Sequence, residues 1–383
     1  MVMRQGHATT NESPSDNAAL KGLVLAGGKG SRLRPLTATG AKQLVPVANK
    51  PVLFYGIEAL VAAGVREIGI IIAPETGEEI RQAAGDGSAF GAEITYIVQD
   101  SPAGLAHAVL TAEEFLGDAP FVMYLGDNLL RDGIKPLVDA FRADPCDASI
   151  LLTPVADPSS YGVAELDGER VVRLVEKPKD PPSNMALVGV YLFTSLIHDT
   201  ARRLEPSARG ELEITEAIQL LIDDGRSVRC EVVRGWWKDT GQLADMLEAN
   251  RLVLEDLHGN VPIGPDADQD GPPGVEGSRL EGRIHLGEGA TVTDSVVRGP
   301  VVIGDGARIE QAYIGPYTSL GEGVVVVGSE VEHSIVLAGS TVENLHTRME
   351  ASLLGRNVKL SRSDGPPRAL RMIVGDSAEI EIV

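Results

Sequence analysis

Between positions 286 and 360, aliphatic residues recur every six positions, often with glycine beside them: Leu286-Gly287 then Val292, Ile303-Gly304 then Ile309, Ile314-Gly315 then Leu320-Gly321 then Val326, and Leu354-Gly355 then Leu360. This hexapeptide spacing predicts a parallel β-helix, whose triangular coils stack their aliphatic corners on one another. Roughly a hundred residues make only a handful of coils, so the open ends must be capped or paired. The register breaks near 298–301 and 330–334, where loops or irregular coils are expected.

The chain ahead of the repeat is organised differently. Short β-branched runs at 22–25, 67–72, 93–98, 121–124 and 148–154 alternate with helical patterns at 52–64, 77–84, 105–115 and 134–142. That order builds βαβ units, so the fold class is α/β with a mostly parallel sheet and ligands at the carboxyl ends of its strands. Extended pieces at 161–166, 171–176 and 186–193 predict an antiparallel insertion covering the sheet. A helix at 215–223, an extended piece at 228–233 and a closing helix at 243–257 follow. Residues 258–277 contain Gly, Pro and Asp without periodicity and read as a linker. The chain thus divides into a polar tail over 1–20, disordered or a vector remnant, an α/β domain over 21–257, the linker, and the β-helix over 278–383.

Of 383 residues, 43% are hydrophobic, enough for a substantial core in two domains. No apolar run approaches the roughly 18 residues of a membrane span. Cys146 and Cys230 offer neither a disulfide framework nor a cysteine metal site, which fits a reducing cytoplasm. A net charge of -21 argues against nucleic acid and anionic membranes as partners, since both are bound chiefly through positive surface. One window runs against this charge. From Lys21 to Ile57 there are six Lys or Arg and no Asp or Glu, which implies a local cationic pocket for a small anion.

That window holds Leu25-Ala26-Gly27-Gly28-Lys29-Gly30-Ser31-Arg32, an apolar run stopping in a glycine-rich basic loop. Glycines let backbone N–H groups approach a phosphate, while Lys29, Arg32 and Arg34 supply countercharge. Two familiar phosphate motifs fail here. A dinucleotide fingerprint needs a third glycine where Leu33 follows, and a Walker loop needs Gly-Lys-Ser/Thr at its end. Asp127 and Asp239 each sit in a glycine-flanked turn, as compatible with an ordinary strand end as with metal binding. Lys42 and Arg32 equally fit a solvated basic face, Glu176-Lys177 a surface ion pair, and Glu211 and Glu213 the acidic first turn of a helix.

The motifs gain meaning from their order. The opening loop through Pro35-Leu36-Thr37 is followed by Lys42-Gln43-Leu44, Pro46-Val47 and Lys50-Pro51. Then come Gly104-Leu105-Ala106, Leu125-Gly126-Asp127-Asn128, Tyr161-Gly162-Val163, Glu176-Lys177-Pro178, Arg209-Gly210-Glu211-Leu212-Glu213-Ile214-Thr215 and Trp237-Lys238-Asp239-Thr240-Gly241. Over about 21–257 this resembles the sugar-nucleotidyltransferase family, and within it the long form that acts on dTTP and glucose 1-phosphate. The resemblance implies a Rossmann-like domain followed by a left-handed parallel β-helix. It also implies Mg2+-dependent transfer of a thymidylyl group from dTTP to a sugar 1-phosphate, giving dTDP-sugar and pyrophosphate for deoxysugar, cell-surface or secondary-metabolite glycosylation.

The same resemblance distributes the roles. Asp127 and Asp239 hold the metal, while Arg32 and Lys42 neutralise the triphosphate and leaving pyrophosphate. Leu25, Ala26, Gly27, Gly28, Gly30 and Ser31 bind the nucleotide, whose pyrimidine is read by Gln99 and Gly104. Lys177 and Arg209 contact the sugar phosphate, Glu176 accepts from sugar hydroxyls, and Tyr161, Gly162, Leu187, Val188 and Tyr191 wall the sugar pocket. Ser31, His107 and Trp237-Lys238 depart from the usual family residues.

Rival expectations are the same chemistry with UTP or another sugar or cyclitol phosphate, a bifunctional enzyme whose β-helix is an acyltransferase using His285, His333 or His346, and a non-catalytic sugar-nucleotide sensor. A hydrophobic coil face predicts a homo-oligomer assembled through the β-helix.

Overall fold

The computed structural model describes residues 19–28, 30–34, 36, 40–256, 273–362 and 380. Nearly all of the expected tail and the stretch 258–272 of the expected linker lie outside the described residues.

Strands β1 (Lys21–Leu25), β2 (Glu67–Ile72), β3 (Glu93–Val98) and β4 (Phe121–Leu125) run parallel in the order β4-β1-β2-β3. Helices α1 (Val52–Ala62) and α2 (Gly77–Ala84) bury one face of this sheet, and α3 (Leu105–Thr111) buries the other. The inner strands β1, β2 and β4, covered on both sides, have no polar face and read as apolar runs, whereas the edge strand β3 leaves Glu93, Thr95 and Val98 exposed.

After β4 come β5 (Asn128–Leu130), α4 (Lys135–Ala143), β6 (Ala148–Pro154), β7 (Gly162–Asp167), β8 (Arg170–Glu176) and β9 (Met185–Phe193). Then follow α5 (Leu196–Arg202), α6 (Ile214–Asp223), β10 (Val228–Val232), β11 (Trp237–Asp239) and α7 (Leu243–Glu255). The expected antiparallel insertion over the sheet is instead a continuation of it. β9 pairs antiparallel with both β4 and β6, and β7 and β8 extend from β9, giving one nine-stranded sheet. Ala186 through Phe193 are all buried, so β9 belongs in a sheet interior rather than in a covering flap.

The C-terminal region is a left-handed parallel β-helix with faces of six, five and five strands. Val292, Ile309, Val326, Val342 and Leu360 stand in line through successive coils, as the six-residue spacing requires. The first strand, Val275–Glu276, lies inside the stretch read as linker. The expected loops near 298–301 and 330–334 are absent. Strands Val296–Arg298 and Val301–Ile303 flank only Gly299 and Pro300, and Glu330–Glu332 and Ile335–Val336 flank only His333 and Ser334. These are the turns of the coil, and they look irregular in sequence because the stacked aliphatic residues stand within the strands rather than at the corners as expected.

One face of the β-helix, running from Ile284–Leu286 to Leu353–Leu354, packs against α7. Asn250 of α7 is the polar hub: its side chain accepts from Ser319 Oγ at 2.7 Å and donates to the Tyr317 carbonyl at 3.0 Å. Around it, Ile335 and Leu337 of the β-helix share an apolar cluster with Leu33, Val47, Val52, Leu129 and Met246. Truncating a buried leucine leaves a cavity, so Leu337→Ala should destabilise the fold by about 2–5 kcal/mol. A thermal unfolding midpoint equal to that of the unaltered chain would show that this interface carries no stability.

Candidate active site

The site lies where β1 and β4 end. Ala26 N–H donates to the Ile71 carbonyl at 2.8 Å and Gly126 N–H to the Leu25 carbonyl at 3.0 Å, which holds the opening loop beside the Asp127 turn. Leu25 and Ala26 are themselves buried in the sheet. A Cβ at Gly28 would stand 3.0 Å from Lys42 Cε, so the lysine lies across the glycine loop. Gly30 takes φ +60°, a left-handed turn suited to glycine. Lys29 and the Ser31 side chain lie outside what is described.

Asp127 and Asp239 are brought together by a small antiparallel ladder in which β11 pairs with β5. Thr240 donates both its N–H and its hydroxyl to the Asp127 carbonyl, at 3.0 and 2.9 Å. Trp237 Nε1 donates to Asn128 Oδ1 at 2.5 Å, and Asn128 in turn donates to Asp127 Oδ1 at 3.1 Å. Lys42 forms an ion pair with Asp127. Arg32 reaches the same turn, its Nη2 3.6 Å from where a Cβ of Gly241 would be.

Burial first, and then the neighbouring Asp127 charge, push the Asp239 carboxyl up to about 6, although Lys42 and Arg32 pull the other way. Its buried Oδ1 has no hydrogen-bond partner among the described residues. An unpartnered carboxylate oxygen beside a second carboxylate fits a hard divalent cation, which prefers oxygen ligands and retains water. The proposed metal residues therefore suit the group they would hold.

On the nucleotide side, Gln99 is buried, and its Oε1 is 3.5 Å from where a Cβ of Gly27 would be. Gly104 has a steric constraint of its own. It sits at φ +105°, and a Cβ would stand 2.4 Å from the Leu212 carbonyl oxygen. Ala106 N–H donates to that carbonyl and Leu212 N–H to the Ala103 carbonyl, so this glycine couples the base side to the Arg209–Leu212 loop.

On the opposite side, a Cβ at Gly162 would meet Thr215 Cγ2 at 2.6 Å and Glu176 Oε2 at 3.2 Å, with Leu187 Cδ1 at 3.5 Å. Lys177 takes the left-handed φ of 42°, its N–H donating to the Tyr161 carbonyl at 2.9 Å. Such strain in a non-glycine residue persists only where surrounding contacts enforce it. The Tyr161 ring meets Trp237 edge-on at 5.4 Å, joining this side to the aspartate ladder.

Arg209 donates to Glu176 at 3.1 Å and to both Glu213 oxygens at 2.8 Å, and pairs with Glu211 at 3.5 Å. Tyr191 is buried against Phe193, and burial drives its hydroxyl well above the usual tyrosine range. Strand alternation sends Val188 into the core on the other side of the sheet from Leu187 and Tyr191. Its side chain therefore does not share their wall.

Glu213 is a functional candidate that sequence reasoning passed over. It is buried, anchors Arg209 and accepts from Ser207 Oγ at 2.7 Å, whereas an acid just before a helix reads as a surface residue. The signal available was its place in the same short block as Arg209.

A Rossmann-like sheet with a glycine loop, a lysine and two aspartates at its carboxyl edge defines a nucleotidyltransferase. The profile of the family described as "Nucleotidyl transferase" matches residues 21–256, and the chain belongs to that family as an enzyme. A "Glucose-1-phosphate thymidylyltransferase" of Streptomyces antibioticus is 53% identical over 370 residues, covering 95% of this chain and 99% of the relative. The "Low-salt glycan biosynthesis nucleotidyltransferase Agl11" of Haloferax volcanii is 48% identical over 369 residues, covering 95% and 100%. A Bacillus anthracis structure solved in complex with a sucrose has a TM-score of 0.59 at 37% identity, covering 63% of this chain and 98% of that one.

The Asp239 environment predicts a trade between stability and function. Its raised pKa favours the folded state below the unfolded value of 3.8, and that contribution is lost as pH rises through about 6. Neutral Asn keeps it, so metal-free Asp239→Asn should be more stable than the unaltered chain at pH 7 by about 1–2 kcal/mol, after discounting for partial exposure. The difference should vanish below about pH 4. Unfolding curves at pH 4 and pH 7 check this, and a less stable variant at pH 7 would contradict it.

Proposed function

We propose that this enzyme transfers a thymidylyl group from dTTP to glucose 1-phosphate, releasing pyrophosphate, with Mg2+ between Asp127 and Asp239. The observation that carries the reading is the convergence of those carboxylates with Lys42 and Arg32 beside the glycine loop, whose Gly27 faces the buried amide of Gln99. A pyrimidine fits the amide edge, and a hydroxyl-rich sugar fits the Glu176–Arg209 cluster. A Mg2+ ion there would screen the α-phosphate and the leaving group.

The protein's own residues do the rest by positioning. Lys42 and Arg32 supply positive charge on the triphosphate side, where pyrophosphate becomes more negative as it departs. Glu176 orients sugar hydroxyls, and Lys177 and Arg209 turn the phosphate oxygen toward the α-phosphorus for in-line attack. A sugar phosphate is already anionic at neutral pH, so it attacks without a general base.

UTP is the foremost alternative donor, because uracil and thymine present the same imide edge to Gln99. Another sugar or cyclitol phosphate is the alternative acceptor. Self-association through β-helix faces not covered by α7, and a cytoplasmic location, complete the proposal. The latter rests on a chain with only two cysteines, Cys146 and Cys230, and so no disulfide framework.

Pyrophosphate release measured over a matrix of nucleoside triphosphates and sugar phosphates tests the whole reading. dTTP with glucose 1-phosphate should give the highest kcat/KM, and a purine nucleotide in that place would overturn the assignment. Asp127→Asn should lower turnover at least about a hundredfold, the scale of losing several kcal/mol of charge stabilisation. Unchanged metal-dependent turnover would remove Asp127 from the metal site.

A further inference from the structure

A primary amide is a direction-sensitive reader. Its carbonyl oxygen only accepts hydrogen bonds and its nitrogen only donates, so the edge of Gln99 matches different bases in its two orientations. With Oε1 opposite ring position 3, the amide accepts from the N3–H of thymine or uracil and donates to their C4 carbonyl. Turned over, it donates to the bare N3 of cytosine and accepts from its exocyclic amino group. What holds the amide one way round therefore decides between an imide base and cytosine.

The surroundings of Gln99 favour one orientation. Its backbone is tied down by N–H donation to the Ile72 carbonyl at 2.9 Å. On the α3 side, Nε2 lies 2.8 Å from His107 Nδ1 and 3.5 Å from the Gly104 carbonyl oxygen. That carbonyl can only accept, so it disfavours the amide oxygen there, while the much closer imidazole nitrogen supplies the stronger bond. Oε1 is left facing the Gly27 side of a cavity that Ala73, Pro74, Asp100 and Pro102 also line. The long Gly104 contact leaves the second amide hydrogen available to a ligand.

We propose that His107, by accepting from Gln99 Nε2, is the positioning residue that holds the amide in the imide-reading orientation and so excludes cytidine nucleotides. This rests on the proposed role of the cavity as the pyrimidine pocket. His107 itself, in the first turns of α3, need touch no substrate. Thr111 donates to the His107 backbone carbonyl at 2.8 Å, which ties down the helix at this residue.

The test compares dTTP, UTP and CTP, each with glucose 1-phosphate, in the unaltered enzyme, His107→Leu and His107→Gln. In His107→Leu the amide loses its partner and can turn over. The kcat/KM preference for dTTP and UTP over CTP should fall about tenfold or more, and the KM for dTTP should rise several-fold. The kcat at saturating dTTP and the KM for glucose 1-phosphate should stay as they were, a split that general damage to the fold would not give. His107→Gln restores an acceptor and should recover most of the preference. Melting temperatures confirm that the variants are folded. Unchanged selectivity in a folded His107→Leu overturns the proposal alone. An unaltered enzyme that uses CTP as well as dTTP overturns the orientation, and one that uses no pyrimidine nucleotide overturns the functional reading beneath it.

Discussion

The two aspartates of the candidate site are held together by a ladder of three residue pairs, Trp237 with Leu130, Lys238 with Leu129 and Asp239 with Asn128. Such a small two-stranded unit has little stability of its own. Here it must also hold two carboxylates close together, which repel one another. Stabilisation comes from outside the ladder. Thr240 fixes the Asp127 carbonyl twice, Lys42 pairs with its carboxylate, and Leu129 is buried among side chains of α7 and the β-helix. The acidic pair is thus imposed by the surrounding fold, and Asp239 Oδ1 finds no hydrogen-bond partner among the described residues.

The β-helix enters the active site through the same cluster. Leu33 is buried with Ile335 and Leu337, and Leu36 Cδ2 lies 3.6 Å from where a Cβ of Gly355 would be. The basic loop is therefore anchored at both ends, by β1 before the glycines and by the β-helix after Arg32. A phosphate loop needs glycines for close approach, and glycines leave the chain free. Anchors at both ends limit how much of that freedom must be lost on binding. A domain that contributes no candidate catalytic side chain still determines where Arg32 begins its reach.

Much of this was legible in the sequence, for specific reasons. Parallel strands buried on both sides write themselves as apolar runs, and coil stacking writes itself as a six-residue period. The acid-free window around the glycine loop marked the segment whose Lys42 pairs with Asp127. The failures are equally specific. β9 looks like any apolar strand, and nothing local states that its neighbours are β4 and β6. Ile335 and Leu337 are indistinguishable in sequence from core residues of the repeat, although they face α7. Glu213 reads as a helix-start acid until the fold buries it under Arg209. Gly104 announces a tight turn but not that Leu212 passes 2.4 Å from its absent Cβ. Each of these is a long-range contact, and local composition carries no information about its partner.

The division of charge between the two halves of the site follows from the same contacts. Arg209 is surrounded by Glu176, Glu211 and Glu213, so its guanidinium brings little net positive charge to an incoming phosphate. What it offers is direction, because a guanidinium held by several carboxylates cannot swing. Lys177 differs: its Nζ is 3.6 Å from Glu176, and its side chain is 44% exposed. It is the more available countercharge on the sugar side, a point charge on a flexible stem carried by a strained turn. On the nucleotide side, Lys42 is engaged by Asp127. A cation shared by Asp127 and Asp239 would loosen that ion pair and free the lysine for phosphate. In the proposed reaction, metal and nucleotide binding would then support one another, since the charge that recruits one would release the group that holds the other.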